Sequence, residues 1–132
     1  MKTALIAAGA GLLSIGGAAF AAGPPKGDPL HGQQLFVRCA SCHTIGQSGG
    51  KAGPTLNGVF GRKAAAVAGF NYSPAMKASG FTWDQATLAH FLQAPMKTLP
   101  GTRMFFPGLP DAKDQADMIA YLKQYRADGS KK

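Results

Sequence analysis

The stretch RCASCHTIGQ, Arg38 to Gln47, holds both cysteines of this 132-residue chain. Two cysteines separated by two residues could close a disulfide or form a dithiol redox site. The loop closed by such a bridge is too short to stabilise much of a fold. His43, directly after Cys42, changes the reading, because Cys-x-x-Cys-His is the attachment pattern of c-type haem. On a helical turn, Cys39, Cys42 and His43 stand at i, i+3 and i+4 and share one face. Two thiols on that face can add to the two vinyl groups along one haem edge, and the imidazole beside them can reach the iron.

The N-terminus supports this reading. MKTALIAAGAGLLSIGGAAFAAGPPKGD has a positive Lys2, an apolar stretch from Ala4 to Ala18 and an A-x-A site at Ala19–Ala21. Residues 1–21 are therefore expected to be a secretory signal peptide, with an uncleaved anchor as the alternative. In bacteria, haem of this kind is attached on the far side of the inner membrane, so export and Cys-x-x-Cys-His agree. The expected location is the periplasm. No second apolar run of spanning length follows, and the mature protein is expected not to span the membrane. Residues 22–27 read as a flexible tail, 28–126 as one domain and 127–132 as a flexible C-terminal tail.

The formal net charge is +8, with 14 Lys and Arg against 6 acidic residues. Lys2 leaves with the signal peptide, and every acidic residue is an aspartate. A surface this basic attracts acidic protein surfaces or anionic lipid. Nucleic acid is excluded as a partner by the expected export and by the lack of a basic run interleaved with aromatics.

Along the mature chain the signals are helical. Asp28-Pro29 reads as a cap followed by a first-turn proline, opening a helix that runs from Leu30 to Cys39. Glycines and Pro54 make 46–61 a loop. Ser73-Pro74 repeats the cap and proline before a short helix that Gly80 closes. Thr82 with Gln85 reads as a capping box for a helix that buries Leu88, Phe91 and Leu92 and ends at Pro95. Lys97 to Asp111 is an apolar loop broken by three prolines. A last helix starting at Asp111 or Lys113 carries Met118, Ile119, Tyr121, Leu122 and Tyr125 at helical spacing. No strand pattern or repeat appears. An all-α domain this small and this rich in loops has little apolar surface of its own, and a buried haem would supply the missing core.

A haem iron with His43 on one side needs a second axial ligand. His31 lies too close before the cysteines to cross the ring. His90 falls on the polar side of its helix, and Met118 belongs to the apolar stripe of the last one. Met104 lies in the apolar loop beside Phe105 and Phe106, where a thioether could approach iron while excluding water. Composition alone leaves it open against Met76 and Met96.

The segments GQQLFVRCASCHTIG, GPTLNGVFGRKA, GFNYSPAMK, FTWDQATLAHFLQAPMKTLPGTRMFFPGL and DMIAYLKQY resemble, in order and spacing, class I (mitochondrial-type) cytochrome c and its soluble bacterial relatives. The resemblance covers nearly all of Asp28 to Gln124. It implies an all-α class I cytochrome c fold, with three main helices, a short helix and long loops wrapped around one haem c. It implies that Cys39 and Cys42 are the thioether anchors and that His43 and Met104 are the axial ligands. The Pro54 carbonyl would take the His43 ring N–H. Arg62, Tyr72 and Trp83, and beyond them Ser73 and Thr102, match positions that hold the haem propionates. Gly32 and Phe36 match first-helix contacts to the last helix, met there by Met118 and Tyr121. The sequence departs from the pattern twice. Phe91 stands where the mitochondrial family usually has a tyrosine near the ligand sulfur, and Met76 where an asparagine helps order internal water.

The function so implied is a periplasmic, monomeric, monohaem one-electron carrier that is not an enzyme. Its partners would be acidic surfaces of redox proteins: a membrane oxidase, a reductase or a dehydrogenase. Lys51, Lys63, Lys77, Lys97, Arg103 and Lys113 are expected near the haem edge. The alternatives are a haem enzyme or ligand-binding protein with an open sixth iron position, which would need a distal His or Arg, and a dithiol protein, which would need a βαβ pattern.

Overall fold

Three aspartates and a serine set where four of the helices begin. In the computed structural model, which describes residues 11, 16–18 and 23–132, Asp28 caps α1, Pro29–Leu35, by accepting the Leu30 N–H. Ser73 caps α2, Pro74–Ala78. Asp84 caps α3, Gln85–Gln93. The one-turn helix α4 spans Pro95–Thr98, and Asp111 caps α5, Ala112–Leu122. A side-chain acceptor at such a position satisfies a backbone N–H that the helix cannot, worth about 1 kcal/mol. The expected signal peptide lies largely outside the described residues.

Among the described residues there is no strand, only isolated bridges between Lys63 and Thr82 and between Tyr125 and Lys131. The first bridge explains a difference from the sequence reading. Trp83 N–H bonds to the Arg62 carbonyl at 2.9 Å, and Gly61 N–H to the Trp83 carbonyl at 2.8 Å. These bonds hold Thr82 and Trp83 extended, so the cap passes to Asp84, whose carboxylate accepts the Thr87 N–H at 2.8 Å. Pro95 does end α3, but it also opens α4, because its fixed φ suits a first helical position. α1 gives way at Leu35 to a 3₁₀ turn, Phe36–Arg38, rather than running unbroken to Cys39. Two short helices therefore accompany α1, α3 and α5 instead of one.

Both ends of the expected domain also make contacts with it. A Cβ on Gly27 would overlap the Ala116 carbonyl, so the chain lies against α5 before α1 begins. At the other end Arg126 N–H bonds to the Ser130 carbonyl, and Lys132 N–H to the Gln124 carbonyl, both at 2.8 Å. Residues 127–132 thus fold back as a closed turn on the end of the last helix.

α1 crosses α5, and α3 packs on the same helix. Gly32 makes the crossing possible, since a side chain there would overlap the Asp117 carbonyl. Phe36 meets Tyr121 edge to face, with ring centroids 5.5 Å apart. Met118, expected at this crossing, is buried in the same core and faces a cavity on α5. Val59, Trp83, Leu88, Phe91, Leu92 and Leu122 likewise serve both as core and as cavity wall. A side of the hydrophobic core is therefore left open, and it has a defined shape.

Candidate functional site

The turn after α1 presents the cysteine motif. Cys39 and Ala40 N–H groups both bond to the Phe36 carbonyl. The Cys39 carbonyl then accepts from Cys42 at 3.0 Å and from His43 at 2.8 Å. This turn brings Cys39, Cys42 and His43 to one cavity. Both cysteines are free thiols. Burial pushes the Cys39 thiol up to about 11, against the opposing pull of Arg38. A dithiol redox centre needs the reverse, a thiol pulled down toward neutrality.

His43 is buried, and its Nδ1–H donates to the Pro54 carbonyl at 2.7 Å. Burial lowers the imidazole pKa below its usual range; the Pro54 bond opposes this, and Arg62 adds to it. The ring is therefore neutral, with its lone pair on Nε2, the state in which imidazole binds a metal. Gly53 makes this placement possible. A Cβ there would stand 2.5 Å from His43 Cε1, and Gly53 N–H bonds to the Cys42 carbonyl at 2.7 Å.

The cavity has a volume of about 640 Å³, within the range of about 300–1,000 Å³ usual for cofactor sites. Leu56, Val59, Phe70, Leu88, Phe91 and Leu92 give it apolar walls. Three methionines line it: Met76, Met104 and Met118. Met96 is 47% exposed and lies outside.

The loop that carries Met104 is tied down on both sides. Thr102 N–H bonds to the Leu99 carbonyl at 3.0 Å, and Thr102 Oγ1 accepts the Met104 N–H at 3.2 Å. The Arg103 guanidinium reaches the Asn71 carbonyl at 3.3 Å. Beyond the methionine, Leu109 N–H bonds to the Leu92 carbonyl at 2.7 Å. Gly108, at φ +106°, presses on the Gln93 carbonyl where a Cβ could not fit. Arg38 closes this side, donating to the Gly108 carbonyl at 3.4 Å with its guanidinium over the Phe106 ring.

A second group of lining residues is polar. Arg62 donates from Nη1 to the Asn57 carbonyl at 3.0 Å and from Nη2 to the Thr55 carbonyl at 3.1 Å. Its Nε is buried with no partner. A buried N–H of a charged group without an acceptor costs free energy, and a haem propionate is an acceptor of the matching charge. Burial lowers the Arg62 pKa, and Tyr72 opposes that shift. Tyr72 accepts the Val67 N–H at 3.1 Å, leaving its own O–H to donate. Trp83, Ser73 and Thr102 complete this group.

Cys39, Cys42, His43, Pro54, Arg62, Tyr72, Trp83 and Met104 thus line one cavity, although they span 66 positions of sequence. Sequence reasoning missed Gly53 and Arg38, whose roles rest on contacts made only in the fold. His90 is exposed, as expected. His31 is engaged elsewhere, 2.7 Å from Asp117. Of the six cations expected near the haem edge, Arg103 lines the cavity, whereas Lys113 pairs with Asp117 on α5.

The comparisons with known proteins agree with this geometry. The family model "Cytochrome c" matches residues 30–126. Cytochrome c2 of Rhodoblastus acidophilus is 53% identical over 106 residues, covering 80% of this chain and 99% of that protein. Cytochrome c of Cannabis sativa is 47% identical over 105 residues, covering 78% and 95%. Among solved structures, cytochrome cH from Methylobacterium extorquens superposes with a TM-score of 0.69 at 48% identity, over 74% of this chain and 98% of that one.

Proposed function

Because this chain belongs to the cytochrome c family, whose members carry a covalently attached haem c, we propose that it is a periplasmic one-electron carrier with its iron held between His43 and Met104. When bound, the haem supplies an iron that cycles between the ferric and ferrous states. The chain's own residues do the rest. Cys39 and Cys42 fix the group through thioether bonds. Pro54 holds the proton on His43 Nδ1, so that Nε2 keeps its lone pair for the iron. The Met104 thioether, a soft and uncharged donor, favours the ferrous state and raises the potential. Arg62, Tyr72 and Trp83 balance the propionates, and the apolar walls keep water from the metal. With His43 and Met104 both holding the iron, no open position would remain for substrate chemistry, which favours a carrier over an enzyme. The domain over 28–126 would be delivered by a signal peptide at 1–21. Among the described residues no helix is long and apolar enough to cross a membrane.

The observation that carries this reading is the bond from His43 to Pro54, made in a cavity lined by both cysteines and Met104. A visible spectrum tests it. The reduced protein should give sharp c-type bands, and the ferric protein a weak band toward the red that reports methionine on iron. Met104→Ala should abolish the weak band and lower the potential, while Met76→Ala and Met96→Ala keep it. Survival of the band in Met104→Ala would assign the ligand elsewhere.

A further inference from the structure

Asp117 is the one buried carboxylate among the described residues, 1% exposed, and the electron-carrier reading gives it no role. Its Oδ1 accepts the Asp28 N–H at 2.6 Å and the Lys113 ammonium, and its Oδ2 lies 2.7 Å from His31 Nδ1. Its main chain takes part as well, since Gly32 rests on the Asp117 carbonyl. One residue of α5 therefore holds the cap, the first turn and the crossing point of α1. The next residue, Met118, forms cavity wall, and α1 leads through a single 3₁₀ turn to Cys39.

We infer that Asp117 is the positioning residue that sets the N-terminal helix, and with it Cys39 and His43, against the α5 wall of the haem cavity. This rests on the haem-ligation reading above and adds a titratable control to it. Burial opposes ionisation of Asp117, but Lys113, the Asp28 N–H and His31 outweigh it and bring the carboxyl down to about 2. Asp114 also faces the group, 3.9 Å from His31 Nδ1. The other helix on α5, α3, carries only His90 as a titratable side chain, and that is exposed. Since the folded pKa is depressed, the docking contribution is complete above the ordinary carboxylate value of 3.8. It is lost as pH falls from there through about 2. A shift of that size corresponds to about 10- to 60-fold in the docking equilibrium. His31, Asp114 and Asp117 also lie close enough together to hold a cation, but the Lys113 ammonium on Asp117 opposes one.

The test uses ferric holoprotein with the parent measured first. A parent lacking the methionine–iron band at pH 7 overturns the ligation reading, and this inference with it. Given the band, Asp117→Asn, Lys113→Met and the surface control Asp128→Asn, exposed in the C-terminal turn, are compared in two ways. The first is imidazole affinity at pH 7, which reads how easily the cavity opens to a competing ligand. Asp117→Asn should bind imidazole about tenfold more tightly than the parent, Lys113→Met should fall between them, and Asp128→Asn should match the parent. The second is the urea concentration that abolishes the band at pH 7, 5 and 3. The gap between parent and Asp117→Asn should narrow as pH falls, which a side chain that merely fills space would not produce. Equal imidazole affinity, or a gap constant with pH, overturns the inference. Should Asp117→Asn fail to fold, Lys113→Met decides by the same two measurements.

Discussion

His43, the proposed iron ligand, shows how much of a side chain's chemistry is set by its neighbours. Pro54 fixes its tautomer, Gly53 gives its ring room, and burial keeps it neutral. The motif around it was readable from the sequence because its chemistry is local: three residues on one turn, with a spacing that dictates what they can hold. Gly53 was not readable, since its role is the lack of a side chain at a point that only the folded loop brings beside the imidazole. The same holds for the unpartnered Nε of Arg62. Its number and type were visible, but only the fold shows two of its donor groups used and a third buried without a partner. Arg62→Met should therefore lower the midpoint potential, because a propionate charge beside the iron would lose its counterion. A unit charge acting from about 10 Å at an effective dielectric of 20 is worth about 1.7 kcal/mol, roughly 70 mV for one electron. Potentiometry checks this, and an unchanged potential would mean Arg62 serves only the Asn57 and Thr55 carbonyls.

At the scale of elements, the helix ends divided according to whether their signals were local. Asp28, Ser73 and Asp111 act on the residues directly after them; the sequence placed the first two starts and left the third between Asp111 and Lys113. Thr82 looked equally convincing, but its segment is claimed by backbone bonds to Gly61 and Arg62, partners about twenty residues away that a capping pattern cannot reveal. The α1–α5 crossing lies between these cases. Gly32 and Phe36 matched the family pattern, whereas the Asp117 cluster stayed hidden because His31 was weighed only as an iron ligand. The crossing tolerates no added atom at its centre. Gly32→Ala should cost roughly 1–3 kcal/mol, the usual range for overpacking a close contact, by urea unfolding of the holoprotein. A loss below a few tenths would show that the helices can separate without penalty.

Seen whole, the molecule is a wall of helices and loops around a hole of about 640 Å³, and residues such as Trp83, Leu88 and Leu122 are core only if that hole is filled. Replacing Cys39 and Cys42 together by Ala should give a chain without native helical circular dichroism, as in small domains that fold only around a bound metal. Native-like helicity in that haem-free chain would refute this. Charge is distributed just as unevenly. The charged residues of the cavity lining are Arg38, Arg62 and Arg103, and none of the aspartates lies there. Association with an acidic redox partner should slow steeply as salt rises, since screening shortens to about 8 Å at physiological ionic strength; stopped-flow rates indifferent to salt would leave the charge to solubility alone. The ties on either side of Met104 carry one more consequence. If Met104 holds the iron as proposed, a sulfur on a loop pinned to α3, Asn71 and Arg38 would have little room to shift when the metal gains or loses an electron. Little geometry then has to be rebuilt at each transfer, because the surroundings are already arranged for both charge states. The pace of turnover would then pass from the metal site to the meeting of two proteins.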